Sequence, residues 1–184
     1  KTNVAKVENN DKTRTPYPVN SRPTPSDNKS KTDQTAFGDD ELAAVFSVKK
    51  QVGKFTHRTT LTAADRSDKK VFQNSGGEAT AMYDVKGRSE TIIYTIASYT
   101  TRKKAQTEFK NYVDREKQNG AKMLAEIITD QQNKSINASY KMGILTVLTF
   151  CSWKMDSITL CHRIGSPQGG ATVVDFHNSW FNIK

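Results

Sequence analysis

Polar and apolar positions divide this chain near residue 40. Ahead of that point the apolar side chains are Val4, Ala5, Val7, Tyr17, Val19, Ala36 and Phe37, set among Asn, Asp, Ser, Thr and Lys. Too little apolar surface is present to offset the entropy of ordering the backbone. Four of the five prolines fall in T-P-Y-P-V-N-S-R-P-T-P-S, where they fix φ and remove donors. Residues 1–38 therefore read as a linker, semi-extended unless a partner orders it.

After residue 38 the apolar positions recur with the periods of regular structure. Asp39-Asp40-Glu41 followed by L-A-A-V-F-S-V-K-K predicts a short helix with acids at its start and Leu42, Val45 and Phe46 on one face. Phe55–Leu61 has the β-branched content of a strand, and Thr62–Lys70 reads as a polar connection with one helical turn at A-A-D-R. Ala79–Val85 and Ser89–Tyr99 flank Lys86-Gly87-Arg88 and predict a hairpin turning at Gly87. The clearest helix follows. Thr100 or Thr101 caps it, Asn119-Gly120 stops it, and Ala105, Phe109, Tyr112, Val113 and Glu116 share its inner face.

Four further strands are predicted at Met123–Thr129, Ile136–Met142, Ile144–Trp153 and Ser157–Ile164, then a loop over residues 165–170. A last helix places Val173, Phe176, His177 and Trp180 on one face. Hairpin, helix, strands, helix is the order of an α+β domain over residues 39–184. Its core is an antiparallel sheet of about five to seven strands, packed by a central and a C-terminal helix behind a long irregular N-terminal tail.

Charge adds a preference for partners. The net charge is +9. Residues 1–40 hold seven basic against six acidic side chains, which leaves 21 against 13 in the remainder. A basic body favours an acidic protein face or an anionic membrane surface. Arg102, Lys103 and Lys104 open the central helix, the end where positive charge is least favoured, and so hint at an anionic partner. Arg14, Tyr17 and Arg22 are the contact candidates in the tail. No nucleic-acid partner is expected, since neither a recognition helix nor an aromatic-rich RNA-binding segment is present. No apolar run approaches the roughly eighteen residues of a transmembrane helix.

The stretch F-C-S-W-K-M-D-S-I-T-L-C-H-R holds both cysteines. Ile158 stands where C-x-x-C-H would need cysteine, which excludes covalent haem, and too few ligands are close enough for zinc. With a turn at Lys154–Ser157, Cys151 and Cys161 have the same parity on neighbouring strands, so they either bridge or pack as free thiols. A bridge fits an extracytoplasmic protein, periplasmic or secreted, freed of an upstream signal. His57, His162 and His177 form no catalytic motif, and no nucleophile elbow, zincin helix, phosphate loop or dinucleotide fingerprint is present.

The expectation is thus a non-catalytic accessory subunit without cofactor or metal. It would dock on a larger protein or membrane-associated complex through its basic surface and tail. The alternative is a module for a small apolar ligand lined by Phe109, Tyr112, Phe150, Trp153 and Trp180. A third reading, an unrecognised enzyme, requires His162, His177 and Asp175 to converge on one cleft.

Overall fold

A computed structural model of the chain describes residues 37–183, apart from 63–64, 66–69, 132–133 and 154–158. All of these lie in one compact unit spanning residues 32–184. The expected helical turn at A-A-D-R and the turn at Lys154–Ser157 fall largely or wholly outside the described residues, as do Arg14, Tyr17 and Arg22.

The elements run α1 (Asp39–Val48), β1 (Gln51–Val52), β2 (Phe55–Leu61), β3 (Gly77–Val85) and β4 (Thr91–Tyr99), then α2 (Arg102–Gln118). The chain continues through β5 (Lys122–Asp130), β6 (Ser135–Met142), β7 (Leu145–Trp153), β8 (Thr159–Ser166) and α3 (Gly170–Phe181). The eight strands form one antiparallel sheet in the order β1-β2-β3-β4-β8-β7-β6-β5. The architecture is α+β, as the hydrophobic pattern predicts. The strand beyond the expected seven is β1, whose two residues are too few to show a period.

The crossover through α2 explains the strand order. It carries the chain from β4 to the far edge, and the β5–β8 meander then walks back until β8 pairs with β4. Four strand spacings are about 19 Å, and a helix of this length spans about 25 Å, so α2 is long enough for the task. Thr101 caps it by accepting the Lys104 N–H at 3.2 Å. Gly120, at φ 92°, takes the conformation that ends it.

Both faces of the sheet are covered, by different helices. On one face Leu42 and Phe46 of α1 and Val173, Phe176 and Trp180 of α3 pack against Tyr83, Tyr94, Phe150 and Ile164. On the other, Ala105, Phe109, Tyr112 and Val113 of α2 cover Tyr99, Tyr140, Val147, Cys151 and Cys161. The alternation along β7 serves both layers, with Phe150 on the first face and Cys151 on the second. Gly77 is required by close approach: a Cβ there would stand 2.2 Å from the Phe37 carbonyl oxygen where the chain enters α1.

The β8 strand runs past its expected end. Gly165 pairs with Ile93 and Val147, and Ser166 with Thr146, so long-range partners override the local Gly-Ser turn signal.

Candidate functional site

Cys151 and Cys161 are directly paired across β7 and β8, with their sulfurs at bonding distance, 2.04 Å. Both are fully buried beneath α2. Of the two outcomes open to this spacing, the bridge is the one formed. His162 follows Cys161 on the opposite face, as parity requires, and is a neighbour of the bridge. Replacing both cysteines by alanine should cost at least about 2.5–3 kcal/mol by the chain-entropy relation. Thermal unfolding of the double variant should fall by roughly 5–12 °C. An unchanged melting temperature would contradict a stabilising role.

The basic residues at the start of α2 divide into one anchored and two exposed side chains. Arg102 lies over the Trp153 ring, 4.3 Å from its centroid, and donates to Gln131 Oε1 at 3.2 Å. Lys103 and Lys104 project into solvent, and Lys110 does so two turns on. Among the described residues none of these three lysines makes an ion pair, whereas Lys117 is paired with Glu126 at 3.0 Å. The first turn of α2 contains no acidic side chain. Thr101, Arg102, Lys103 and Gln106 line an open recess of about 460 Å³. Positive side chains and the positive end of the helix dipole therefore coincide here.

The histidines serve packing. His57 stacks edge-on against Tyr83 and meets Thr60 Oγ1 at 3.1 Å. His162 is buried between Phe150 and Tyr94, with its Nδ1 2.7 Å from Tyr94 Oη. Burial, followed by the electrostatic influence of His177 and Lys49, pushes the His162 pKa down to about 3. His177 meets Phe150 in an edge-to-face contact. Asp175, in contrast, is bound to Lys54 at 2.9 Å, which also holds Glu90 at 2.8 Å. The two histidines come together around Phe150, and Asp175 is engaged elsewhere.

The five aromatic side chains expected around an apolar ligand do not share a cavity. Phe109, Tyr112 and Trp153 belong to the core beneath α2, and Phe150 and Trp180 to the core beneath α1 and α3. The sheet separates the two sets because alternate residues of a strand face opposite ways. A different concavity exists beside α3, which packs on β1, β4, β7 and β8. Leu148, Phe150 and Ile183 form its apolar floor and Asp130, Ser135, Asn137 and His177 its polar wall, enclosing about 370 Å³. Ile128, in register with Asn137 and 53% exposed, extends that floor toward the free edge of the sheet.

One polar constellation leaves little trace in the sequence. Arg163 Nε donates to Tyr112 Oη at 3.0 Å, Tyr112 shares a hydrogen bond with Tyr140, and Tyr140 donates to Glu116 Oε2 at 3.4 Å. Burial raises the pKa of both phenols, so they remain neutral donors and acceptors at ordinary pH. The only signal in the sequence is a charged residue inside the apolar strand T-L-C-H-R-I-G-S. Its parity with Cys161 places it under α2.

Compared with models of protein families and with curated proteins, the chain matches none. Its class rests on its own geometry: an α+β domain with helices on both faces of an antiparallel sheet, a buried disulfide and a helix start rich in basic side chains. Among the described residues no group of three or more His, Cys, Asp or Glu side chains is placed to hold a metal ion, and no helix is long and apolar enough to cross a membrane.

Proposed function

We propose that the domain is a non-catalytic accessory module that docks on an acidic face of a larger protein or membrane-associated complex. The observation that carries this reading is the start of α2. Lys103, Lys104 and Lys110 stand exposed and unpaired among the described residues, on a helix whose first turn has no acid. Leaving such charges uncompensated gains little for the isolated domain, since exposed ion pairs contribute only about 0–1 kcal/mol. A complementary acidic face would gain from them in association rate and specificity. Residues 1–38 would act as the tether. The buried Cys151–Cys161 pair is compatible with an extracytoplasmic site of action.

The test is charge reversal in the full chain. Lys103→Glu, Lys104→Glu and Lys110→Glu together should abolish salt-sensitive co-purification with the partner complex. The melting temperature should stay within a few degrees, since exposed substitutions usually change stability by less than about 0.5 kcal/mol each. Equal retention of wild type and variant at low salt would reject the docking surface.

A second reading, a module for a small apolar ligand, is favoured by one observation. The groove floored by Leu148, Phe150 and Ile183 has a volume in the lower range of known ligand sites. It differs from the docking reading in its response to salt: transfer of an apolar ligand into that groove is insensitive to moderate ionic strength.

A further inference from the structure

Strand register lays down one side of the groove beside α3. Ile128 of β5, Asn137 of β6 and Phe150 of β7 are successive partners across three strands, so they stand in one row on the same face. Ser139 and Leu148 form the next row, and Ser135 pairs with Asp130 on the other side. Between these β6 positions, Ile136, Ala138 and Tyr140 belong to the core beneath α2. Asn137 is thus a carboxamide set between two apolar side chains, Ile128 and Phe150, lining a recess of about 370 Å³.

Three polar groups of this recess have bonding capacity to spare. The side chains of Ser135 and Asn137 make no hydrogen bond among the described residues. His177 meets Asn178 Oδ1 through Nδ1 at 3.2 Å, which leaves its Nε2 without a hydrogen-bond partner among the described residues. A hydroxyl and a carboxamide each donate and accept, and a neutral imidazole nitrogen does one or the other. Leu148, Phe150 and Ile183 supply the apolar side. Ile183 is 53% exposed and so has surface left to cover.

Charge narrows the choice of ligand. On a chain of net charge +9, no lysine or arginine lines this recess among the described residues. A carboxylate or phosphate would lose its water there without gaining a counter-charge. The one acidic side chain in the lining is Asp130, which is already engaged within the chain. A cationic ligand therefore gains little from it. A neutral head that both donates and accepts suits the three groups best, and a hydroxyl is the smallest such head.

Resting on the second reading, in which this groove is a ligand site, we propose that its occupant is a small neutral amphiphile with a hydroxyl head. Its aliphatic or aromatic body lies on Leu148, Phe150 and Ile183, and its hydroxyl exchanges hydrogen bonds with Asn137 and His177. A recess of this volume, in the lower range of ligand sites, suits a small body. The head is the discriminating part. A floor acting by apolar area alone ranks a hydrocarbon above the corresponding alcohol, because burying an unpaired hydroxyl is unfavourable. Partners at Asn137 and His177 offset that penalty. The site involves none of Lys103, Lys104 and Lys110, so it is independent of the docking surface.

The test titrates the full chain with probes that share one body and differ in the head: benzyl alcohol, toluene, benzoate and benzylammonium, at matched ionic strength. Binding is followed by NMR at the Leu148 and Ile183 methyl groups and the Asn137 side-chain amide. Benzyl alcohol should saturate these signals with a midpoint of about 1 mM or tighter. Toluene should bind no more tightly, and benzoate and benzylammonium at least about tenfold more weakly. Asn137→Leu, which keeps the approximate volume and removes the amide, should place toluene ahead of benzyl alcohol. Toluene tighter than benzyl alcohol in the wild type would leave the groove an apolar-ligand site and overturn the hydroxyl head. A charged probe within about tenfold of benzyl alcohol would overturn it too, as would an unchanged order in a folded Asn137→Leu variant. Should no probe saturate these signals, the ligand reading of the groove and the hydroxyl head fall together. If the variant does not fold, the wild-type order of the probes decides alone.

Discussion

Replacing Trp180 by alanine is expected to remove about 3–5 kcal/mol of folding free energy, the range for losing a large aromatic side chain from a packed core. Trp180 is 6% exposed and makes ring contacts with Phe46 of α1, Tyr83 of β3, Tyr94 of β4 and Phe176 of its own helix. The closest, to Tyr94, has ring centroids 4.4 Å apart. Lys49, at the end of α1, places its ammonium 4.0 Å from the indole and donates to the Trp180 carbonyl at 3.0 Å. One side chain therefore ties both helices of this face to the sheet, and no neighbour is free to refill the space. For a domain of this size each kcal/mol corresponds to about 2–4 °C, so the midpoint of thermal unfolding should fall by roughly 6–20 °C. A drop below about 2 °C would mean that α3 is not a structural member of the core.

Acid should destabilise the domain through His162. Its folded-state pKa of about 3 lies below the ordinary value of about 6.5 expected in the unfolded chain. Between those values the unfolded chain binds a proton that the folded chain refuses. The contribution is therefore fully present above about pH 6.5, is lost at about 1.4 kcal/mol per pH unit as pH falls, and is gone below about pH 3. The full span corresponds to about 4–5 kcal/mol. Urea unfolding at several pH values, compared between the wild type and His162→Gln, isolates the effect from the carboxylates. The wild-type stability should decline more steeply than the variant's between pH 6.5 and 3, although the variant starts lower through loss of packing against Phe150 and Tyr94. Parallel profiles would show that His162 takes up its proton in the folded state.

The elements legible in the sequence are those set by local chemistry. The Thr101 cap, the Asn119-Gly120 stop and the apolar stripe of α2 all lie within one segment, and the α2 boundaries follow from them. Gly87 at φ 75° similarly fixes the β3–β4 turn. The Cys151–Cys161 bridge is one of two outcomes that parity permits, and only the true register decides between them. Features set by distant partners are illegible. Gly165 and Ser166 read as loop and stand in a strand, because Ile93, Val147 and Thr146 supply hydrogen-bonding partners from elsewhere in the chain. The aromatic residues that read as one ligand cage separate onto two faces, since their positions along strand and helix say nothing of which layer each enters. No local pattern assigns Arg163 a partner, and only the packing of α2 brings Tyr112 to it. Among the contact candidates Lys103 and Lys104 are exposed, and Arg102 lies against Trp153, a pairing no local pattern records.

Docking on an acidic face through the start of α2 can be put to the test by carbodiimide cross-linking, which joins lysine amines to carboxylates in direct contact. The full chain would be cross-linked within its purified complex and the linked peptides identified by mass spectrometry. Links are expected from Lys103, Lys104 or Lys110 to aspartate or glutamate side chains of another protein, diminished when the complex is first exposed to high salt. Intermolecular links confined to the α3 side of the sheet, with none from these three lysines, would contradict docking through α2.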